Sequence, residues 1–291
     1  MIITQLLGGL GNQLFQYALG RRLAHDHGVP LKLDVKFYQQ HTLRAYKLHH
    51  FNIQAEIAAD KEINRFVGKE PYRKAMRWLQ RRVLPYERRP LVKERTLAFD
   101  PAVLRTPSDA YLEGYWQSEH YFHAIERLLR DELTFKTPPD SANARLLDQI
   151  RGVSNSISLH VRRGDYVTSK EVNSYLGIIP LDYYREAIKR IVAAIPDAHF
   201  FVFSDDPGWV RANISTDHPI TYVTHNGADK DYEDLRLMAN CRHHIIANSS
   251  FSWWGAWLAS TPEQIVYAPQ RWGNNPELNH SDRIPEHWQR I

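Results

Sequence analysis

Short apolar runs alternate along this chain with longer stretches in which apolar residues recur every three or four positions. The first pattern predicts strands and the second predicts helices. Residues 2–7 read as a strand, closed by the turn Gly8-Gly9-Leu10-Gly11. Residues 12–27 carry Leu14, Ala18 and Leu23 along one side and meet Gly28, which predicts a helix with a glycine stop. Residues 31–34 predict a second strand, so the chain opens as a βαβ unit of the Rossmann type. From about Gln39 to Thr106 the pattern is mostly helical and irregular. Tyr111-Leu112 predicts a short strand running into Gly114-Tyr115-Trp116-Gln117, and Ser118 predicts the start of a helix reaching Leu133. Pro138-Pro139 then breaks the pattern, which divides the chain into domains 1–138 and 139–291.

The second half alternates more regularly. Strands are predicted at 157–161, 199–204, 220–223, 244–247 and 265–268. Asp182 is expected to cap a helix carrying Ala187, Ile188, Ile191, Val192 and Ile195. Asp206-Pro207 reads as an N-cap and first helical residue, and 231–238 as a helix with acids in its first turn. Asn248-Ser249-Ser250 opens a further helix, in which Trp253 and Trp257 share a core face. Such alternation predicts an α/β fold with parallel sheets covered on both sides.

At 291 residues, 43% hydrophobic and 24% charged, the chain has the composition of a globular protein of two ordinary domains. No run approaches the apolar length of a membrane span, and because the first residues lead directly into a strand pattern no signal peptide is expected. One cysteine, Cys241, excludes intrachain disulfides and Cys-based zinc sites, so a reducing, cytoplasmic setting is expected. The net charge of +4 is unevenly placed. Between Lys61 and Arg95 there are twelve Lys/Arg against four Glu. Tyr72, Met76, Leu79 and Val83 form a stripe there at helical spacing, with Arg73, Lys74, Arg77, Arg81 and Arg82 mostly off it. Such a helix either rests peripherally on an anionic membrane or presents a solvated face over a core stripe. Nucleic acid is not an expected partner, because aromatics are not interleaved with the basic run.

Chemistry-bearing groups fall where predicted strands open into loops. His160-Val161-Arg162-Arg163-Gly164-Asp165-Tyr166 places two guanidiniums at such a point. Arginine's planar fork matches two phosphate oxygens, and ligands of open α/β sheets bind beyond the carboxyl ends of strands. The pattern therefore points to an anionic ligand or, alternatively, to an Arg–Asp ion pair closing a turn. Asp205 and Asp206 are either paired acid–base carboxylates, an N-cap in the case of Asp206, or acceptors for the N–H edge of a guanine. Ser249 and Ser250 stand at a helix start that suits a phosphate or simple capping. Gly9-Leu10-Gly11-Asn12-Gln13-Leu14 has leucine where a dinucleotide fingerprint carries its third glycine, so close helix–strand packing is not expected there. Asp229-Lys230-Asp231 is better explained as helix-start acids than as a metal site, and His243-His244 on a strand point to opposite faces.

The stretches GGLGNQLFQYALGRRLA from Gly8, YLEGYWQSEHYF from Tyr111, HVRRGDY from His160, FVFSDD from Phe201 and LMANCRHHIIANSSFSWWGAWLA from Leu237 together resemble the bacterial-type α-1,2-fucosyltransferases, relatives of α-1,6- and protein O-fucosyltransferases. The resemblance implies a GT-B-like fold, two Rossmann-like domains facing across a cleft. It assigns the N-terminal domain to the acceptor side and the C-terminal domain to GDP-fucose. It further implies an inverting transfer of L-fucose from GDP-β-L-fucose to the 2-hydroxyl of a terminal β-galactoside, with no metal required and no cofactor. By motif position, Arg162 would hold the β-phosphate, His160 and Asp205/Asp206 would lie by the guanine, and Ser249 and Ser250 would bind the pyrophosphate. Asn12 would face the pyrophosphate or the fucose, and Arg163 would add positive charge. Asp165 is the candidate base, with orientation of Arg163 as its alternative role; Glu171 is a second carboxylate nearby. Other acceptors or linkages, including α-1,6, and a non-catalytic nucleotide-binding role are the competing expectations.

Overall fold

The computed structural model describes residues 1–40, 44–68, 84–164, 167, 173–174, 177–259, 261–274 and 281–291. The chain forms two compact units, Met1–Lys136 with Ser281–Arg283, and Thr137–His280 with Ile284–Ile291. Each holds one parallel sheet, giving the α/β class expected from the alternation of elements. The basic segment 73–82 and its apolar stripe lie outside the described residues, as do Asp165, Tyr166 and Glu171.

The sheet of the first unit contains β1 (Ile2–Gln5), β2 (Leu31–Asp34), β3 (Glu56–Ile57), β4 (Leu91–Lys93) and β5 (Ala110–Glu113). Their order is β3-β2-β1-β5-β4. Ile2 pairs with Leu31 on one side and Ala110 on the other, so β1 is central and its apolar residues are fully buried. Strands β3 and β4 lie inside the stretch predicted to be helical and irregular. At two and three residues they are too short to show an alternating pattern. The helix expected from Ser118 to Leu133 is instead two 3-10 turns, Glu119–Tyr121 and His123–Ile125, followed by the helix Glu126–Glu132. Burial of Tyr121 and Phe122 overrides helical continuity, and Phe122 takes φ −137 between the two turns.

Helix Leu10–His27 is buried on nearly every side and ends at Gly28 in the left-handed conformation, φ 61. Its glutamines are inside. Gln16 accepts from the Leu7 amide at 3.0 Å and donates to the Gly114 carbonyl at 3.1 Å, joining the exits of β1 and β5. Gln13 donates to the Ala45 carbonyl at 2.9 Å and accepts from the Lys47 amide at 2.9 Å. Tyr17 and Arg21 close around the buried Glu132 carboxylate, with the Arg21 Nε at 2.9 Å. A close-packing glycine does occur in this helix, beyond the fingerprint, at Gly20. A Cβ there would sit 2.2 Å from Thr4 Oγ1 and 2.9 Å from Leu31 Cδ1. The close approach falls further along the helix than the fingerprint position, where the helix crosses β1 and β2.

The sheet of the second unit runs β11-β10-β9-β6-β7-β8. Its strands are β6 (Ser156–Val161), β7 (His199–Ser204), β8 (Ile220–Val223), β9 (His243–Ile245), β10 (Val266–Ala268) and β11 (Gln289–Arg290). Every residue of β6 is buried. Ile157, Leu159 and Val161 join one core with Tyr184, Ala187 and Ile191 of the helix Leu181–Ala194. That helix follows Pro180, so Asp182 falls inside its first turn rather than at the cap; the fixed φ of proline leads the chain into the helix. The opposite face of β6 is polar. Ser156, Ser158 and His160 stand in register with His199, Phe201 and Phe203 of β7, and Ser158 is also in register with His244 of β9.

His244 has no solvent exposure, and burial lowers its pKa to about 3. Burial likewise lowers His243 and His160 to about 4. Each ring stays neutral in the fold below the pH at which it protonates in the unfolded chain, near 6.5. The unfolded chain then binds more protons, so stability falls as pH drops from about 6.5 toward 4. Asp234, raised by burial to about 7, opposes one of these three groups. Urea midpoints measured from pH 7 to pH 4.5 should therefore decline, and His244→Asn should flatten the decline by about 1.4 kcal/mol per pH unit. Gly20→Ala should lower stability at neutral pH by about 1–3 kcal/mol, read by the same measurement, because the added methyl meets Thr4 and Leu31, both buried.

Candidate active site

Strand succession in the second sheet reverses between β6 and β9. From β6 the chain proceeds to β7 and β8 on one side, and from β9 to β10 and β11 on the other. Loops leaving β6 and β9 diverge, and a crevice opens at the carboxyl ends of these two strands. The loop after β6 carries Arg162, Arg163 and Gly164; the loop after β9 carries Asn248 and Ser249. The exit of neighbouring β7 adds Asp205 and Asp206.

Asp205 organises the arginine loop. Its Oδ2 lies 2.9 Å from Arg162 Nη1, and its Oδ1 accepts from the Arg163 amide at 2.8 Å. Burial alone would raise its pKa, but Arg162 and the amides of Arg163 and Gly164 hold it below the ordinary carboxylate value. Gly164 allows this approach, since a Cβ there would meet Asp205 Oδ2 at 2.5 Å. The second arginine is engaged differently. Arg163 Nε meets Asp206 Oδ2 at 3.1 Å, and its guanidinium lies 4.1 Å over the Trp209 ring. Asp206 also caps the helix Pro207–Asn213, accepting from the Trp209 amide at 3.1 Å. The two adjacent arginines thus have separate settings. All four oxygens of the Asp205–Asp206 pair accept from protein donors.

His160 lies at the end of β6, 5% exposed, with its ring 5.7 Å from that of Phe251. Its lowered pKa follows first from burial and then from Arg162, against the pull of Asp205. A neutral imidazole offers hydrogen bonding rather than charge, and no protein partner is found for its Nδ1 among the described residues.

Ser249 is the N-cap of the helix Ser250–Leu258 and accepts from the Phe251 amide at 3.3 Å. The preceding Asn248 is buried, and its Nδ2 donates to the carbonyls of Gly177 and Trp272 at 3.2 and 3.1 Å. Trp253 and Trp257 are core residues, as expected from their spacing, and Trp254 joins them. The Tyr183 hydroxyl braces the strand exits from below, 2.7 Å from the Ile246 carbonyl and 3.0 Å from that of Tyr267. Asn248 and Tyr183 are supporting residues that sequence patterning does not single out as such. Asparagine before a serine cap is an ordinary turn signal, and Tyr183 belongs to an amphipathic helix.

The structure therefore brings His160, Arg162, Arg163, Asp205, Asp206, Ser249 and Ser250 to one edge of one sheet. Asn12 belongs to the first unit, where its Oδ1 accepts from Gln117 Nε2 at 2.7 Å. Asp231 opens the helix Asp231–Met238, and Lys230 pairs with Asp140 at 2.9 Å. Among the described residues no group of three or more His, Cys, Asp or Glu side chains is assembled for a metal ion.

The family model described as glycosyl transferase family 11 matches residues 94–291. An α-1,2-colitosyltransferase of Escherichia coli is 33% identical, covering 100% of this chain and 99% of its own length. A galactoside α-(1,2)-fucosyltransferase 1 of Rattus norvegicus is 30% identical over 51% of this chain and 41% of its own. Among solved structures, the NodZ α-1,6-fucosyltransferase soaked with GDP-fucose shares the fold, with a TM-score of 0.53 at 15% identity over 91% of this chain and 94% of that one. A family match over the whole second sheet and a full-length relative at this identity lead to one conclusion: the chain belongs to glycosyl transferase family 11.

Proposed function

We propose that this glycosyltransferase moves L-fucose from GDP-β-L-fucose to the 2-hydroxyl of a terminal β-galactoside, forming an α-1,2 linkage with inversion and without a metal. The observation that carries the reading is the Asp205-oriented Arg162 guanidinium at the reversal of the second sheet, on the same edge as a serine-capped helix N-terminus. The names of the colitosyl and galactoside fucosyl relatives support the α-1,2 linkage and the galactoside acceptor.

The chemistry asks for positive charge at one place. As the glycosidic bond breaks, its electron pair moves to the β-phosphate oxygen of the departing GDP, and the sugar becomes oxocarbenium-like. The acceptor oxygen attacks the anomeric carbon from the opposite side and gives up its proton. In this proposal Arg162 meets the new charge with its fork, held in orientation by Asp205. The helix Ser250–Leu258 adds the amide groups and the partial positive charge of its N-terminus, about half an elementary charge. Ser249 and Ser250 supply hydroxyls at that end. His160, neutral at physiological pH, offers a hydrogen bond to the nucleotide. Asp165 receives the acceptor proton. Arg163 secures the loop through Asp206 and Trp209.

A second reading changes only the sugar. The 33% identity to a colitosyltransferase extends over the entire chain. Colitose is the 3-deoxy counterpart of fucose, and the same diphosphate-binding groups would serve either donor.

Incubation of the enzyme with GDP-fucose or GDP-colitose and a panel of galactosides and N-acetylglucosaminides, with linkage assigned by NMR, should give α-1,2-fucosyl galactoside. Preference for GDP-colitose would establish the second reading, and an α-1,6 product on a glucosaminide would refute both. Arg162→Ala should lower kcat by about 10²–10³-fold while leaving the melting temperature nearly unchanged, and Arg162→Lys should fail as well because an ammonium cannot bridge two oxygens. Turnover should persist in excess EDTA. Asp165→Asn should remove the acidic limb of the pH–rate profile; an unchanged profile with a modest rate loss would assign Asp165 to loop structure instead.

A further inference from the structure

The first sheet has a reversal of its own. The chain runs from β1 to β2 and β3 on one side, while β5 and β4 occupy the other. The carboxyl ends of β1 and β5 therefore flank a crevice equivalent in topology to the one in the second unit. Residues on both sides are tied across it. Gln16 links Leu7 to Gly114, and Gln117 donates to Asn12 at 2.7 Å.

The backbone after β5 is strained in a specific way. Trp116 has φ 57, the one positive φ at a non-glycine residue described in the chain. A bulky residue in that region is an outlier that persists only where surrounding structure holds it. Glu94 does so: its carboxylate accepts from the amides of Tyr115 at 2.7 Å and Trp116 at 3.0 Å. Glu94 is itself desolvated enough that burial raises its pKa. A half-buried carboxylate and a strained tryptophan together turn the chain so that Trp116 enters the core and Tyr115 stands out, 39% exposed.

Tyr115 does not stand alone. Tyr38, which follows β2, donates its hydroxyl to the Gly8 carbonyl at 3.1 Å at the mouth of the same crevice. Its ring lies 6.5 Å from that of Tyr46, tilted by 46°. The two tyrosines stand at the exits of neighbouring strands, Tyr38 through Gly8 beyond β1 and Tyr115 beyond β5, and burial raises the Tyr38 pKa. The Arg44 guanidinium reaches this mouth too, with Nη1 3.7 Å from where a Cβ on Gly9 would lie. An exposed tyrosine with hydrogen-bonding groups near it forms a surface suited to a sugar ring.

We propose that the Tyr115 turn, with Tyr38 and Arg44 beside it, is a saccharide subsite of the first unit that stacks the acceptor pyranose on Tyr115. This deepens the galactoside acceptor reading above and rests on it for the identity of the sugar. A galactopyranoside suits a flat ring because its axial 4-hydroxyl leaves the C3, C4 and C5 hydrogens together on one apolar face. In this subsite the Tyr38 hydroxyl, whose proton goes to the Gly8 carbonyl, is left to accept from a hydroxyl at the ring's rim. Glu94 is a positioning residue, acting only through the backbone of the turn.

The test compares Tyr115→Ala and Tyr115→Phe with the native enzyme in three measurements: acceptor KM and kcat, GDP affinity by calorimetry, and saturation-transfer NMR to methyl β-galactoside in the absence of donor. Tyr115→Ala should raise acceptor KM about tenfold and lose most of the NMR signal, with GDP affinity unchanged; Tyr115→Phe should stay within about twofold of native. Glu94→Gln should raise acceptor KM in the same sense, again without moving GDP affinity. An unchanged acceptor KM in Tyr115→Ala overturns the proposal, as does a parallel loss of GDP affinity. Should no galactoside accept a sugar, the function proposed above fails, and the NMR arm still decides the subsite. A signal from methyl β-galactoside or methyl β-glucosaminide that Tyr115→Ala abolishes supports it, and no signal from either in native protein overturns it.

Discussion

Parallel strands impose the constraint on which both units depend. A parallel sheet needs a crossover for each added strand, so the chain must leave every strand at the same edge. Where succession reverses beside a central strand, no crossover covers that edge, and the backbone groups and loop residues there face an opening. Both sheets reverse in this way, at β1 and β5 in the first and at β6 and β9 in the second.

In the second unit, charge is placed on a rigid support. Strand β6 is buried along its whole length and pairs with β7 over six positions, so the residue that follows it has little freedom. Arg162 emerges from that strand into a loop whose shape is set by Asp205 and by the absence of a side chain at Gly164. In the proposed reaction, the electrostatic value of such a group comes from being aimed before the charge arrives, so that little reorganisation is needed. Arg163 has the same chemistry and a different consequence, because Asp206 and Trp209 draw it toward the next helix.

In the first unit, polar residues inside the helix Leu10–His27 do comparable work. Gln13 and Gln16 satisfy loop amides and carbonyls that a buried helix would otherwise leave unpaired. Glu94 similarly satisfies two amides of a strained turn. Buried hydrogen-bonded groups of this kind define loop geometry more tightly than apolar contacts do, because an unmade bond costs about 1–3 kcal/mol.

Periodicity in the sequence determined the α/β class, the opening βαβ unit, most strands of the second half and the start of the helix at Pro207. These elements are encoded locally, by alternation, caps and glycine stops. The clusters around His160, Asp205 and Ser249 were legible for the same reason, since each follows an apolar run directly. Strands β3, β4 and β11 were not legible, because two or three residues carry no period. The close approach at Gly20 was missed because a helical glycine gives no sign of what crosses beneath it. Only the tertiary structure decided which of two adjacent arginines stays with the crevice, since Asp205, Asp206 and Trp209 reach them from elements forty and more residues away. It alone decided that Glu94 holds Trp116 in a left-handed turn and sets Tyr115 outward. Such pairings depend on strand order, and strand order is a property of the folded sheet that no local stretch of residues specifies.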